Sequence, residues 1–169
     1  MIKFGGQLTA DDYVAANKLH MRKRGWKRIG WIVFWVLLGV GALLSADIAI
    51  QDPSAGLLPL LLILFIAATQ LFVRLLYLPR RIRNVYGQQR NLQLPFESVC
   101  TDSGIESSNA NTTSRLPWDH LIRWKESNTL FVLYQSDLLF NIVPKRCFAQ
   151  PEQADAFRDL LTERLGPPV

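Results

Sequence analysis

IGWIVFWVLLGVGALLSA, residues 29–46, runs for eighteen positions without a charged side chain. An α-helix of that length rises roughly 27 Å, close to the roughly 30 Å hydrocarbon thickness of a bilayer. A soluble helix keeps a polar face for water, and this stretch has none. LLPLLLILFIAATQLFVRLLYL, residues 57–78, repeats the pattern with Arg74 as its only charge. An arginine at mid-bilayer is costly, whereas one turn from the end it snorkels to the headgroups. Residues 29–78 are therefore expected to form a transmembrane helical hairpin. A buried soluble hairpin and a cleaved signal peptide are the competing readings. The long basic leader and the second span weigh against the latter.

Outward from the hairpin, charge is uneven. Lys18, Arg22, Lys23, Arg24, Lys27 and Arg28 precede the first span, and Arg80, Arg81 and Arg83 follow the second. The connection DIAIQDPSAG, residues 47–56, carries Asp47 and Asp52 and no Lys or Arg. The positive-inside rule then puts the connection outside and both termini in the cytoplasm. Trp31, Arg74 and Tyr77 are the expected interfacial anchors. The net charge of +5 thus expresses topology rather than a nucleic-acid footprint. Gly41 with Ser45, and Ala42 with Ala46, give small-xxx-small spacings that permit close helix contact and make a homo-oligomer conceivable.

Residues 1–28 form the segment before the hairpin. A short strand is expected within residues 2–8, then a helix capped by Thr9 with Asp11 and Asp12 in its first turn. Residues 79–91, PRRIRNVYGQQRN, are a basic linker.

From residue 92 the apolar period changes to that of strands. Strands are expected over residues 93–100, 105–108, 113–118, 121–126, 129–134 and 138–143, separated by turns such as Thr101-Asp102-Ser103-Gly104. Ile122 and Trp124 share a face, as do Leu130, Val132 and Tyr134, and Leu138, Phe140 and Ile142. Pro151 opens a closing helix whose stripe is Ala154, Phe157, Leu161 and Leu165, ended by Gly166. The fold class is an α+β membrane protein: a two-helix hairpin, then a small antiparallel sheet domain over residues 92–169 closed by a C-terminal helix.

Several short motifs point the same way: LTADDY at residues 8–13, TDSGI at 101–105, Leu116-Pro117-Trp118 followed by Ile122, LFVLY at 130–134 and IVPKRCF at 142–148. With the adjacent spans, they make the chain resemble the YcxB-like membrane proteins of bacteria over nearly its whole length. The resemblance implies a pleckstrin-homology-like (PH-like) cytosolic domain and a place in the bacterial inner membrane. It transfers architecture, with no settled activity.

No catalytic set stands out. Cys147, His120 and Asp119 supply the residue types of a cysteine hydrolase, but Asp119 and His120 are neighbours whose side chains diverge on an extended chain. His20, His120, Cys100 and Cys147 lack metal-ligand spacing, and glycine-rich nucleotide loops are missing. The chain is accordingly expected to be non-enzymatic and to need no cofactor. Arg80, Arg81, Arg83, Trp124, Lys145 and Arg146 are the candidate contacts to a protein partner or to lipid headgroups, alongside membrane lipids around the spans. A nucleic-acid partner is not expected, since basic and base-stacking aromatic residues do not interleave. An immunity or accessory protein against a membrane-acting toxin is the alternative, and a membrane-associated enzyme is a third reading.

Overall fold

The computed structural model describes residues 1–22 and 26–169, with the side chain of Lys27 also left out. Lys23, Arg24 and the Lys27 side chain, all counted in the basic cluster, lie outside the described residues. The chain divides into two compact units, residues 22–81 and residues 1–21 with 82–169.

The first unit is a pair of apolar helices, α2 (Trp26–Gln51) and α3 (Pro53–Phe72). Both are long and apolar enough to cross a membrane by length and composition. The expected ten-residue connection is much shorter. Helix α2 continues to Gln51, and Asp52 alone separates the helices. The reason is local chemistry. Nothing between Asp47 and Gln51 breaks a helix, whereas Asp52-Pro53 both ends one and starts the next. The Asp52 carboxylate accepts from Ser54 N at 2.9 Å and Ala55 N at 3.4 Å, and Pro53 has no amide to leave unpaired. The turn is tight enough that a Cβ on Gly56 would lie 2.2 Å from Ala49 N. A Cβ on Gly41 would sit 3.4 Å from Ile63 Cδ1, and Ser45 is buried. The small-residue face of α2 is thus turned toward α3, which leaves the Gly41–Ser45 spacing occupied within one chain.

Beyond Phe72 the helix widens into a π-helical segment, Val73–Tyr77, and continues as α4 (Leu78–Gln88). The stretch expected as a linker is therefore mostly helical. Its Arg, Gln and Tyr residues are good enough helix formers, and it holds no proline after Pro79. Arg74 lies over the Trp31 ring at 5.9 Å, joining two of the three expected anchors by a cation–π contact. Tyr77 is exposed.

The second unit is α+β, with two antiparallel sheets. One has the order β1 (Lys3–Gly6), β2 (Phe96–Thr101), β3 (Gly104–Asn109), β4 (Thr113–Pro117). The other has the order β5 (Arg123–Glu126), β6 (Leu130–Tyr134), β7 (Phe140–Pro144). Strand β1 is the partner that the sequence could not assign. It pairs antiparallel with β2, Phe4 opposite Ser98, across the whole intervening hairpin in sequence. The residues before the hairpin therefore complete the domain after it. In the turn between β2 and β3, Gly104 has φ +155°, and a Cβ there would meet Leu116 O at 2.2 Å, so glycine is required.

Two apolar clusters hold this unit. Phe4, Ile105, Trp124, Phe131 and Leu133 from both sheets pack with Ala154, Phe157 and Leu161 of α5 (Pro151–Leu165). On the other face of β6, Leu130, Val132 and Tyr134 pack with Ala16 and Leu19 of α1 (Ala10–His20). Strand β6 is consequently buried at every position, which explains why LFVLY is continuously apolar rather than alternating. Of the expected apolar faces, two depart from the structure. Ile122 is 55% and Leu138 86% exposed, because both precede their strands and sit in connections where the alternation does not apply.

Candidate functional site

The basic residues nominated from sequence are, in this second unit, drawn into the fold. Arg146 donates to both carboxylate oxygens of Asp12 at 2.7 Å and to the Gln7 carbonyl at 2.7 Å. Asp12 is at the same time the third residue of α1. Its carboxylate accepts from Thr9 N at 2.7 Å and completes a capping box with the Thr9 side chain. One carboxylate therefore caps the N-terminal helix and ties it to the turn after β7. Arg83 donates to Asp11 at 2.8 Å, with both side chains mostly exposed. Tyr86 donates to the Leu8 carbonyl at 2.6 Å.

Lys145 bonds Glu126 at 2.5 Å, and Arg158 of α5 grips the same carboxylate, its Nε 2.9 Å from both oxygens. Burial alone would raise the Glu126 pKa. The hydrogen bonds from Arg158 and Lys145, with their charges, outweigh it and hold the carboxyl below its ordinary value. Trp124 is fully buried, its indole N–H donating to the Gly166 carbonyl at 2.8 Å. It is a core residue, as the central position of a short strand under α5 dictates, and it presents no surface to a partner. Of the six nominated contacts, Arg80 and Arg81 belong to the helical unit and are exposed.

The candidate cysteine hydrolase finds no support in the thiols. Cys147 lies in the turn Lys145–Cys147 and is buried. Burial pushes its pKa up, only partly offset by Arg146, so the nucleophilic thiolate is disfavoured. Burial pushes the Cys100 thiol up to about 12. Asp119 and His120 are exposed in a separate turn, Trp118–His120, whose Trp118 is buried. Among the described residues, no three of His, Cys, Asp and Glu gather as a metal site would require.

What the sequence reading missed is a cleft of about 520 Å³ lined from both sheets. Its construction follows from register. Ser98 on β2 faces Ser107 on β3, and Ser107 faces Ser114 on β4, so three serines form one row across the sheet. Ser98 Oγ lies 2.8 Å from Ser107 Oγ. Where a sandwich core would carry branched aliphatics, these small side chains leave space. Leu133 and Asn141 are opposite one another on β6 and β7 and contribute from the second sheet. Asn141 Nδ2 is buried without a hydrogen-bond partner, a state that costs about 1–3 kcal/mol. No carboxylate lines the cleft. The one arginine there, Arg115, is already 3.7 Å from Glu106. The edge strands β4 and β7 both border it, and neither has a further strand partner among the described residues. The signal was present in the sequence as serine at inward positions of three successive strands, but inwardness is fixed only once the strands are paired.

Such a cleft offers neutral hydrogen-bonding groups, unused strand edges and an apolar floor. It holds roughly 17 waters' volume at about 30 Å³ each, or an extended organic segment of that size.

Residues 100–161 match the family model described as YcxB-like protein. This span runs from the end of β2 nearly to the end of α5 and includes the paired serines Ser107 and Ser114, but neither β1 nor the helical hairpin. No curated protein and no solved structure matches the chain.

Proposed function

We propose that this chain, which carries a YcxB-like domain at residues 100–161, is a membrane-anchored binding module without catalytic activity. Helices α2 and α3 cross the bacterial inner membrane twice, with both termini in the cytoplasm. The asymmetry of basic residues about the hairpin supports this orientation. The four-plus-three strand arrangement with a closing helix supports the PH-like reading. In that reading the helical hairpin and α1 are an insertion between the first and second strands.

The domain takes a protein partner, presented as an extended, uncharged segment in the cleft between the sheets. The carrying observation is the hydrogen-bonding capacity left over there: the Ser114 hydroxyl beside the mutually bonded Ser98 and Ser107, the unpaired Asn141 Nδ2 and the open edges of β4 and β7. An added strand satisfies edge groups and fills alternate pockets in one step. Lipid headgroups are the weaker ligand, because Lys145, Arg146 and Arg83 are each already paired with a carboxylate.

The test places a photo-crosslinking amino acid at Ser114, at Arg80 and at the exposed Glu152 in the full-length protein in cells. Purification in mild detergent and mass spectrometry then identify what is attached. A partner joined at 114 and absent at 152 is the expected result. Lipid adducts at 80 with nothing at 114 would move the assignment to headgroups.

A further inference from the structure

Outside the helices, the largest exposed aliphatic side chains belong to one place, the β6–β7 turn. Leu138 is 86% and Leu139 58% exposed, and Ile122, whose amide donates to the Tyr134 carbonyl at the base of that turn, is 55% exposed. The turn is not loose. Ser136 Oγ accepts from Leu138 N at 3.3 Å and Leu139 N at 3.0 Å, Gln135 N donates to the Leu139 carbonyl at 2.9 Å, and Arg123 holds Asp137 at 2.6 Å. A braced turn that presents two adjacent leucines to water has no folding rationale, since hydrophobic burial favours the reverse. It suits a surface that is covered in use.

The position of the tip within the domain identifies the cover. Phe140, the next residue, stacks on His20 at 5.2 Å, and His20 ends α1. The chain leaves the domain from this same end, through Met21. Trp26 opens the apolar helix α2, so at most about 18 Å of extended chain lies between them. Exposed Lys18 and Arg22 flank the exit, with Arg123 at the base of the turn. Apolar side chains at the end of the domain from which the chain departs for a bilayer, with exposed Lys18 and Arg22 at that exit, match an interface of acyl chains beneath anionic or zwitterionic headgroups.

We propose that the Leu138–Leu139 tip is a second membrane contact of this protein, inserted into the acyl boundary of the leaflet next to the domain. The inference rests on the reading of α2 and α3 as spans. Leu138 and Leu139 do not line the cleft themselves, although Gln135 and Phe140 on either side of them do.

The experiment uses the full chain in dioleoyl-phosphatidylcholine liposomes, with the fluorophore NBD attached at Leu138→Cys or, as a control, Asp159→Cys on exposed α5. The native thiols are buried and react slowly. Doxyl-labelled phosphatidylcholine is the quencher. NBD at 138 is expected to shift to the blue and lose fluorescence as quencher lipid is added, and Leu139→Ser should diminish both changes. NBD at 159 should do neither. Equal, water-like signals at 138 and 159 in protein that resists carbonate extraction would overturn the tip while leaving the spans intact. A blue shift at 138 without quenching would also overturn it, pointing to a protein cover such as a second copy. Release of the protein by carbonate would remove the spans and the tip together.

Discussion

Asp12→Ala tests how the two ends of the chain are joined. The carboxylate makes two kinds of bond. Its contacts with Thr9 N and Thr9 Oγ1, both 2.7 Å, belong to the helix cap. Its contacts with Arg146, also 2.7 Å, cross from α1 to the turn after β7. Loss of a cap of this type costs about 1 kcal/mol. The ion pair is two hydrogen bonds to a charged group, but the Arg146 side chain is 47% exposed against 15% for Asp12, so water screens much of it and about 1 kcal/mol is the appropriate share. The total, about 2 kcal/mol, corresponds to a roughly 30-fold larger open population of α1. Hydrogen exchange with mass spectrometry on the full chain in lipid nanodiscs reads this directly from peptides covering residues 13–19. Arg146→Ala, which spares the cap, should give about half the effect in free-energy terms. Strand β4, remote from α1 in the sheet order, should exchange as before. If peptides from α1 exchange at the same rate in Asp12→Ala and in the unmodified protein, the carboxylate does not couple the ends and the argument fails.

Three further outcomes follow from the geometry. Gly56→Val should splay the helical hairpin, since even a Cβ would lie 2.2 Å from Ala49 N; overpacking of this kind costs about 1–3 kcal/mol and is read as lost protease resistance in nanodiscs, while Gly39→Val, with open space around it, should change nothing. Trp124→Phe leaves the Gly166 carbonyl without its donor and should destabilise the domain by about 1–3 kcal/mol in urea unfolding, with unchanged stability contradicting its role as a core anchor. The pKa of His20 is lowered by burial first, then by Lys125 and Arg123, against a smaller opposing effect of Asp137; its contribution is therefore fully present above the ordinary value of 6.5 and lost as pH falls through the lower folded value, so amide protection in the C-terminal turn of α1, corrected for the intrinsic slowing of exchange in acid, should fall on acidification, and His20→Gln should abolish that fall.

Much of this architecture was legible because it is local. Thr9 followed by Asp12 signals a helix start on chemistry alone, and the structure places the cap there. Pro151 and Gly166 bracket α5 in the same way. Strand positions followed from alternation in FESVCT and RWKE, whereas LFVLY was legible only as a strand with Leu130, Val132 and Tyr134 on one face, although it is buried on both. The second cover, α1 on the face opposite α5 and the other sheet, was not legible. Pairing β1 with β2 is a contact between residues roughly 95 apart, and no periodicity within either segment encodes it. The same gap hid the cleft, because a serine at an inward position reads as an ordinary solvated serine until its strand neighbours are known. It also misplaced the basic residues. Lys145 and Arg146 look available in the sequence, and only the fold brings Glu126 and Asp12 to them. The connection is shorter than the run of uncharged residues suggests for a different reason: Asp47 is charged, but charge alone does not break a helix, and α2 runs on to Gln51.

Strands β1 and β2 can meet only if the hairpin returns the chain to the side it left. Single cysteines at Lys3, Gln51 and Asp159, probed in intact cells with a membrane-impermeant maleimide, test it. Labelling at 51 alone, with 3 and 159 reached only after permeabilisation, is the predicted pattern. Labelling that divides 3 from 159 across the membrane would make the four-stranded sheet impossible and contradict the account.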